Sequence, residues 1–404
     1  LFVRKPFLLR FIANQVVEID HQPVARLAEL VRSRGVREER REVPLAAGGV
    51  QHRERRLISV NSRRRDGDTV GSRAIVERMD TIDPLPGQPE PASSRAGIAL
   101  AAGDAHPQLA QDLARRCGVA VVPTSVSAFA DGETRIRIEA DVADADLYIL
   151  QPTSTPTNER LMTLALIADA ARGAGAARIT AVVPYFGYAR QDVRKGAGEP
   201  RSARVAARLL ESAGVDRIVV LELHSPALES AFAIPVVQLE ADELMLPVVR
   251  GWGVADLTVV SPDAGGLKRA QRYASALAAP LAVVAKTRPR ADVAAALQVL
   301  GDVRGRTCLI VDDMASTGGT IAGAAQALLE AGAGEVHALF IHAVMAPGAL
   351  DRICGAAVRR IVTTDSVPAA PDPRVQVVPV APLLARTLAR LAGQPLEATD
   401  VQGP

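Results

Sequence analysis

From Gly97 onward, short runs rich in Val, Ile and Leu alternate with Ala-, Leu- and Arg-rich segments of helical length. This alternation constrains the fold more than any other feature. Neighbouring parallel strands cannot be joined by a tight turn; they need a crossover of roughly a dozen residues or more, normally a helix. Repeated βα units with buried parallel sheets follow, and so an α/β fold class. Strands are expected near 97–101, 147–151, 179–184, 217–223, 257–261, 281–285, 308–311, 336–341 and 360–364. Helices are expected near 107–116, 156–172, 202–213, 265–277, 318–330 and 383–392. Apolar residues make up 48% of the chain and aromatics only 3%, so the cores must be aliphatic, as parallel sheets covered on both faces are. The units fall into two halves meeting near 239–243, giving expected domains at 97–239 and 240–404.

Residues 1–96 read differently. Arg-rich stretches at 36–41, 52–56 and 63–65 interrupt any helical or alternating apolar period, and Pro, Gly and Ser at 85–94 have the composition of a linker. Residues 1–78 hold 17 Lys+Arg against 10 Asp+Glu, a balance of +7. Since the whole chain holds 47 against 45, the remainder holds 30 against 35, a balance of −5. One expectation for the basic segment is an arm for a polyanion. The other, which we adopt, is that it is poorly structured or not native, with Met79 a natural start. Nucleic acid is accordingly not an expected partner. No apolar run approaches the roughly 20 residues of a membrane span, and the stretch 7–13 is broken by Arg10. Cys117, Cys308 and Cys354 are odd in number and widely spaced, which argues against a disulfide framework or a metal cluster. A cytoplasmic protein is expected.

The most informative stretch runs from Cys308 to Thr320, Cys-Leu-Ile-Val-Asp-Asp-Met-Ala-Ser-Thr-Gly-Gly-Thr. Four apolar residues predict a buried strand. Asp312 and Asp313 follow at its C-terminal end, where open α/β sheets place their ligands. A Ser/Thr/Gly loop then opens a helix. Gly318 and Gly319 let backbone N–H groups approach a phosphate, the helix N-terminus adds partial positive charge, and Ser316, Thr317 and Thr320 supply hydroxyl donors. Paired carboxylates are acceptors suited to the vicinal hydroxyls of a sugar, or to a metal through water. An ordinary N-capped helix would not need all of these parts.

This run resembles the phosphoribosyl pyrophosphate motif shared by type I phosphoribosyltransferases and ribose-phosphate pyrophosphokinases. Further stretches, in chain order, resemble the second family: Phe129-Ala-Asp131-Gly-Glu133; Pro184-Tyr-Phe-Gly-Tyr-Ala-Arg190-Gln191-Asp192; Leu223-His224; Ser261-Pro-Asp263-Ala-Gly-Gly; and Lys286-Thr-Arg288-Pro. The resemblance covers about 97–392 and implies two tandem type I phosphoribosyltransferase-like domains with mainly parallel sheets. It implies transfer of the β,γ-diphosphate of ATP to the 1-hydroxyl of ribose 5-phosphate, giving AMP and phosphoribosyl pyrophosphate. No G-x-x-x-x-G-K-[ST] loop occurs, so a P-loop ATP site is absent.

By the same resemblance, Asp312 and Asp313 meet the ribose, and Ser316, Thr317, Gly318, Gly319 and Thr320 hold the 5-phosphate. Phe129, Asp131, Glu133, Arg190, Gln191, Asp192 and His224 meet ATP. Lys286 and Arg288 sit on a catalytic loop and absorb charge as AMP leaves. Mg²⁺ is the implied cofactor, with Asp263 and His224 as its residues; Asp263 suits it better, because Mg²⁺ prefers oxygen, and the alternative for His224 is to donate to the triphosphate. The resemblance also implies a homo-oligomer built from dimers, often a hexamer, with the Phe129 loop completing a neighbour's ATP site. The sequence departs from many family members after Asp192, where Arg194-Lys-Gly-Ala-Gly-Glu-Pro-Arg201 replaces a Ser- and Arg-rich loop implicated in phosphate activation. Rival readings are a phosphoribosyltransferase, which would not need Arg190 and Lys286, and a catalytically silent homologue, which would tend to lose Lys286 and Arg288.

Overall fold

In a computed structural model of the chain, residues 98–194, 196–287 and 296–394 are described, with backbone alone at 226, 286, 287 and 296. The expectations for residues 1–96 and for Arg288, and the role given to the Lys286 side chain, therefore lie outside the described residues.

Two parallel-based sheets form the frame. The first has the order β2-β1-β5-β6-β7-β8, all parallel, and comprises β1 (Ile98–Ala102), β2 (Val121–Val122), β5 (Asp146–Leu150), β6 (Arg178–Val183), β7 (Arg217–Leu221) and β8 (Val236–Leu239). The second has the order β11-β10-β9-β12-β13-β14-β15. It comprises β9 (Leu257–Ser261), β10 (Leu281–Thr287), β11 (Ala296–Leu300), β12 (Thr307–Ala315), β13 (Glu335–Ala343), β14 (Val358–Thr364) and β15 (Val375–Val378). Only the β10–β11 pair is antiparallel there. A separate antiparallel hairpin, β3 (Thr124–Ala128) and β4 (Thr134–Ile138), stands apart from both sheets.

The helices are α1 (Pro107–Cys117), α2 (Thr157–Gly173), α3 (Ser202–Ser212), α4 (Asp242–Arg250), α5 (Leu267–Leu277), α6 (Gly319–Glu330), α7 (Ala349–Gly355) and α8 (Ala381–Leu391). Side chains alternate across each strand, so a continuous apolar run feeds two cores at once. Leu147 and Ile149 of β5 point into a core covered by Leu164 and Ile167 of α2 and by Ala207 and Leu210 of α3. Tyr148 and Leu150 join a different core. In β12, Cys308 and Ile310 pack under Ile321 and Leu328 of α6, while Leu309 and Val311 enter the same core as Tyr148 and Leu150. That shared core also holds Leu109 and Leu113 of α1, Met245 of α4, Tyr273 of α5, and Leu384 and Leu388 of α8. The two sheets thus bury apolar faces in one continuous interior, and α8, the last helix described, packs against α1, the first.

Every expected strand and helix is present, the strand at 257–261 with the expected ends and the others with shifted ones. The informative shift concerns β12. The apolar run predicts a strand ending at Val311; instead it continues to Ala315, in parallel register with β13 through Asp312↔Phe340, Met314↔His342 and Ala315↔Ala343. Asp312 and Asp313 lie inside a strand, not after one, because pairing with β13 satisfies the backbone there. Of the elements that the apolar pattern does not predict, β2, β8, β11 and β15 are the sheet edges.

Candidate active site

The carboxylates are buried: Asp312 is 9% exposed and Asp313 5%. Asp313 Oδ2 accepts from His224 Nδ1 at 2.7 Å. Its Oδ1 lies 3.7 Å from Arg269 Nη1. The Asp313 backbone N–H donates to Asp312 Oδ1 at 2.9 Å. Two adjacent acids in one dry place cannot both ionise readily. Burial, then the charge of Asp313 beside it, push the Asp312 carboxyl far above the ordinary carboxylate range. Burial works against Asp313 as well, but the hydrogen bond from His224 and the charge of Arg269 outweigh it and hold that carboxyl low. An ionised Asp313 can only accept, so His224 carries its proton on Nδ1 and leaves Nε2 for a ligand. The Asp313 hydrogen bond raises the His224 pKa, against a smaller effect of burial.

Two other sequence-predicted residues act on this cluster by charge. Asp192 raises the His224 pKa and Asp263 raises that of Asp312. Asp263 follows β9; its Oδ1 accepts from Gly266 N–H at 3.0 Å, which closes the turn into α5. The Tyr185–Asp192 stretch is anchored by its aromatic residues. Tyr185 and Phe186 are buried, Tyr185 edge-on to His342 with centroids 5.1 Å apart and Phe186 against Phe232 at 5.2 Å. Gly187 donates its N–H to Thr153 Oγ1 at 2.7 Å, and a Cβ there would meet Thr153 O at 2.5 Å, so only glycine fits. The same chain then presents Arg190 and Gln191 at the surface. Gln191 Oε1 accepts from Ser202 Oγ at 2.6 Å, tying the loop to the first turn of α3.

The 316–320 loop leads from β12 into α6. Gly318 has φ 74° and a Cβ on it would lie 2.6 Å from Ala349 O, so the loop presses on the start of α7. Ser316 O accepts from Ala346 N–H at 2.9 Å and Thr317 O from Arg352 Nη1 at 2.5 Å. Thr317 and Thr320 are exposed, Ser316 is half-buried, and the Gly319 N–H donates to Thr317 Oγ1 at 3.4 Å, so hydroxyls are offered at the N-terminus of α6, where an anion is favoured.

Not all the expected site residues converge. Phe129, Asp131 and Glu133 occupy the turn of the β3–β4 hairpin, closed by Phe129 N–H to Glu133 O at 2.8 Å and by Glu133 N–H to Asp131 Oδ1 at 3.2 Å. Phe129 is 51% exposed, and Arg135 lies 5.7 Å over its ring. No described contact joins this turn to the carboxylate cluster. Lys286 belongs to β10, paired with Leu297 of β11. The residues that the motifs did not suggest are Glu222, Arg269, Arg272 and His342. A signal was present: a glutamate at the end of an apolar strand, and two arginines three apart on one face of the helix opened by Gly265-Gly266.

A small cavity lined by Tyr185, Phe186, Glu222, His224, Met314 and His342 opens where the ends of β7, β12 and β13 meet the loop after β6. Ligands of open α/β sheets bind at such strand ends.

Residues 98–214 match the family described as the N-terminal domain of ribose phosphate pyrophosphokinase, and residues 232–372 match the phosphoribosyl transferase domain. A ribose-phosphate pyrophosphokinase of Burkholderia pseudomallei is 43% identical over 309 residues, 74% of this chain and 96% of that protein. One of Neisseria meningitidis is 42% identical over 297 residues, 72% of this chain and 91% of that protein. Among solved structures, phosphoribosylpyrophosphate synthetase from Mycobacterium smegmatis superposes with a TM-score of 0.70 at 38% identity, over 74% of this chain and 99% of that one.

Proposed function

Since the chain belongs to the ribose-phosphate pyrophosphokinase family, we propose that the cluster around Asp313 is where it performs the family's reaction. The protein is a diphosphotransferase: it moves the β,γ-diphosphate of ATP to the 1-hydroxyl of ribose 5-phosphate and forms AMP and phosphoribosyl pyrophosphate. A bond forms between the ribose 1-oxygen and the β-phosphorus, and the bond from that phosphorus to the bridging oxygen of AMP breaks. Such transfer is governed by positioning and by neutralising charge as the leaving group departs.

The observation that carries this placement is the His224–Asp313 hydrogen bond, which joins the segment after β7 to the carboxylates of β12. Ser316, Thr317, Gly318, Gly319 and Thr320 would hold the 5-phosphate, and Asp312 and Asp313 would border the ribose. Asp312, favoured in its neutral form, can donate to or accept from a ribose hydroxyl. Arg190, Gln191, Asp192 and His224 Nε2 would meet ATP, and Lys286 with Arg288 would absorb the charge growing toward AMP. Phe129 is exposed on its hairpin and would stack on adenine, with Asp131 and Glu133 beside it. We further propose that the two sheets and their helices correspond to domains at 97–239 and 240–404.

The donor set suits Mg²⁺. The ion takes oxygen ligands, usually one or two carboxylates with waters and substrate phosphates. Asp263 offers a half-buried carboxylate whose charge reaches Asp312 and would hold the ion, with His224 as the second residue toward it. Held there, Mg²⁺ would supply neutralising charge to the substrate phosphates. We also propose a cytoplasmic homo-oligomer in which one chain's Phe129 turn completes the neighbour's ATP site.

The test is to mix the full chain with ATP, Mg²⁺ and ribose 5-phosphate and score nucleotide products, alongside protein beginning at Met79. AMP that forms only with ribose 5-phosphate is expected from both. ADP in place of AMP, or no turnover by folded oligomer, would reject the reading.

A further inference from the structure

Glu222 ends β7 in a left-handed conformation, φ 45°, which is costly for a residue with a Cβ and persists only where surrounding contacts impose it. Here they do. Its carboxylate is 3% exposed and accepts from Ala241 N–H at 3.2 Å, Arg269 Nε at 3.2 Å and Arg272 Nη2 at 2.7 Å. The carbonyls of Leu221 and Glu222 lie 3.0 and 3.2 Å from His342 Nε2. Burial favours the neutral form of His342, so its proton is on Nε2, facing the two carbonyls, and Nδ1 accepts from Ser366 Oγ at 2.8 Å. The turn is thus pinned from β13 and α5 together.

Arg269 is itself 8% exposed. It stands between two buried acids, Glu222 at 3.2 Å and Asp313 at 3.7 Å. Asp313 in turn receives His224 Nδ1–H at 2.7 Å. Glu222, Arg269, Asp313 and His224 therefore form a ring that leaves β7, crosses through α5 and β12, and returns to the chain two residues beyond its starting point. The peptide of Leu223 closes it. A ring of this kind leaves His224 little freedom: its backbone is set by the Glu222 turn and its imidazole by Asp313, and both are gripped by one guanidinium. Removing one partner of a buried, paired charge is also a strong perturbation, because it strands the others.

We propose that Arg269 and Glu222 are positioning residues for diphosphoryl transfer, holding the Asp313–His224 pair in the one arrangement that aims His224 Nε2 at the triphosphate. Neither touches substrate; each acts through Asp313 or through the turn. The inference rests on the functional reading above, and its consequences are distinct from it. An error of about 1 Å in a positioned group can lower turnover about 100-fold without a comparable effect on binding.

The experiment uses the full chain and measures AMP release, with circular dichroism melts for each variant. Arg269→Met and Glu222→Gln are each expected to lower kcat by about 100-fold, leaving KM for ribose 5-phosphate within about threefold. Arg269→Lys, which returns a cation but not the fork, is expected to recover about tenfold of the loss. Because the residues act as one unit, Arg269→Met combined with Asp313→Asn should lose little more than the worse single variant. Folded Arg269→Met and Glu222→Gln proteins with kcat within about threefold of the parent, or losses that add to that of Asp313→Asn, would overturn the proposal. Should Arg269→Met fail to fold, the isosteric Glu222→Gln decides alone. If the parent makes no AMP, the functional reading fails and the ring is tested separately by ¹⁵N-histidine spectra. A His224 locked with its proton on Nδ1 in the parent and released in Glu222→Gln supports the ring; no change between them rejects it.

Discussion

His224 Nδ1 meets Asp313 Oδ2 at 2.7 Å although 89 residues separate them in the chain. Each lies in a stretch that local pattern singles out, His224 just after an apolar strand and Asp313 late in one, but nothing local pairs them. Parallel packing brings both to the C-terminal ends of their sheets, where the substrates of such folds bind. The pair makes the two carboxylates of β12 unequal, since Asp313 is occupied by cations while Asp312 is left buried next to a negative charge.

Lys286→Ala is expected to cut kcat by about 100- to 1,000-fold while leaving the thermal melt unchanged, because it removes the charge proposed to act in the transition state. Rates of AMP formation at saturating substrates check this. Lys286 closes on β11 through backbone pairing with Leu297, which the substitution preserves.

Asp312→Ala should act mainly on ribose 5-phosphate. Losing one buried acceptor of a sugar hydroxyl is worth about 1–3 kcal/mol, so KM or Kd for that substrate should rise by about tenfold or more, with a smaller change for ATP. Titration calorimetry with each substrate separates the two.

Gly318→Ala tests the 316–320 loop. With φ 74° and Ala349 O only 2.6 Å from the new Cβ, the loop must shift, at an expected stability loss of about 1–3 kcal/mol. Phosphate binding should weaken more than ATP binding. Chemical denaturation and equilibrium binding of ribose 5-phosphate measure both effects.

Phe129→Ala should raise KM for ATP by about 5- to 100-fold, the range of aromatic–base stacking at about 1–3 kcal/mol. The ring is 51% exposed at the turn of its hairpin, away from the Ile136 and Ile138 side chains that pack on the core, so the fold has little need of it. An unchanged KM with an unchanged assembly by light scattering would remove this turn from the ATP site.

Asp365 gives a pH dependence. Its Oδ1 accepts from Val380 N–H at 2.7 Å, yet burial pushes the carboxyl up to about 6, with the charge of Asp112 adding to it. A raised acid keeps its proton in the folded chain after the unfolded chain has lost it. Stability from this group is therefore full below about pH 4, declines as pH rises to about 6, and is constant above. Asp365→Asn should flatten that slope and stabilise the protein at pH 7 by about 1–3 kcal/mol. Melting temperatures from pH 4 to 7 for both proteins provide the check.

Periodicity and motif spacing were enough for the α/β class, for the nine principal strands, and for the 316–320 loop that opens a helix, because these depend on local chemistry. A strand buried on both faces has to be continuously apolar, and a phosphate loop has to be rich in glycine and hydroxyls, wherever the rest of the chain goes. The edges β2, β8, β11 and β15 escaped that reading, since a strand with one partner and part of its surface in water carries no such run. The extension of β12 through Asp312 and Asp313 escaped it too: two acids oppose a strand locally, and hydrogen bonding to β13 overrides them.

Glu222, Arg269 and His342 show most clearly what folding added. In the sequence they are a glutamate, an arginine and a histidine in unrelated segments. Only when two sheets close on a common core do their side chains fall within reach, and only in that dry interior is a buried charge forced to find a partner. Local chemistry named the parts proposed to meet substrate; packing of distant segments chose the parts that hold them in place.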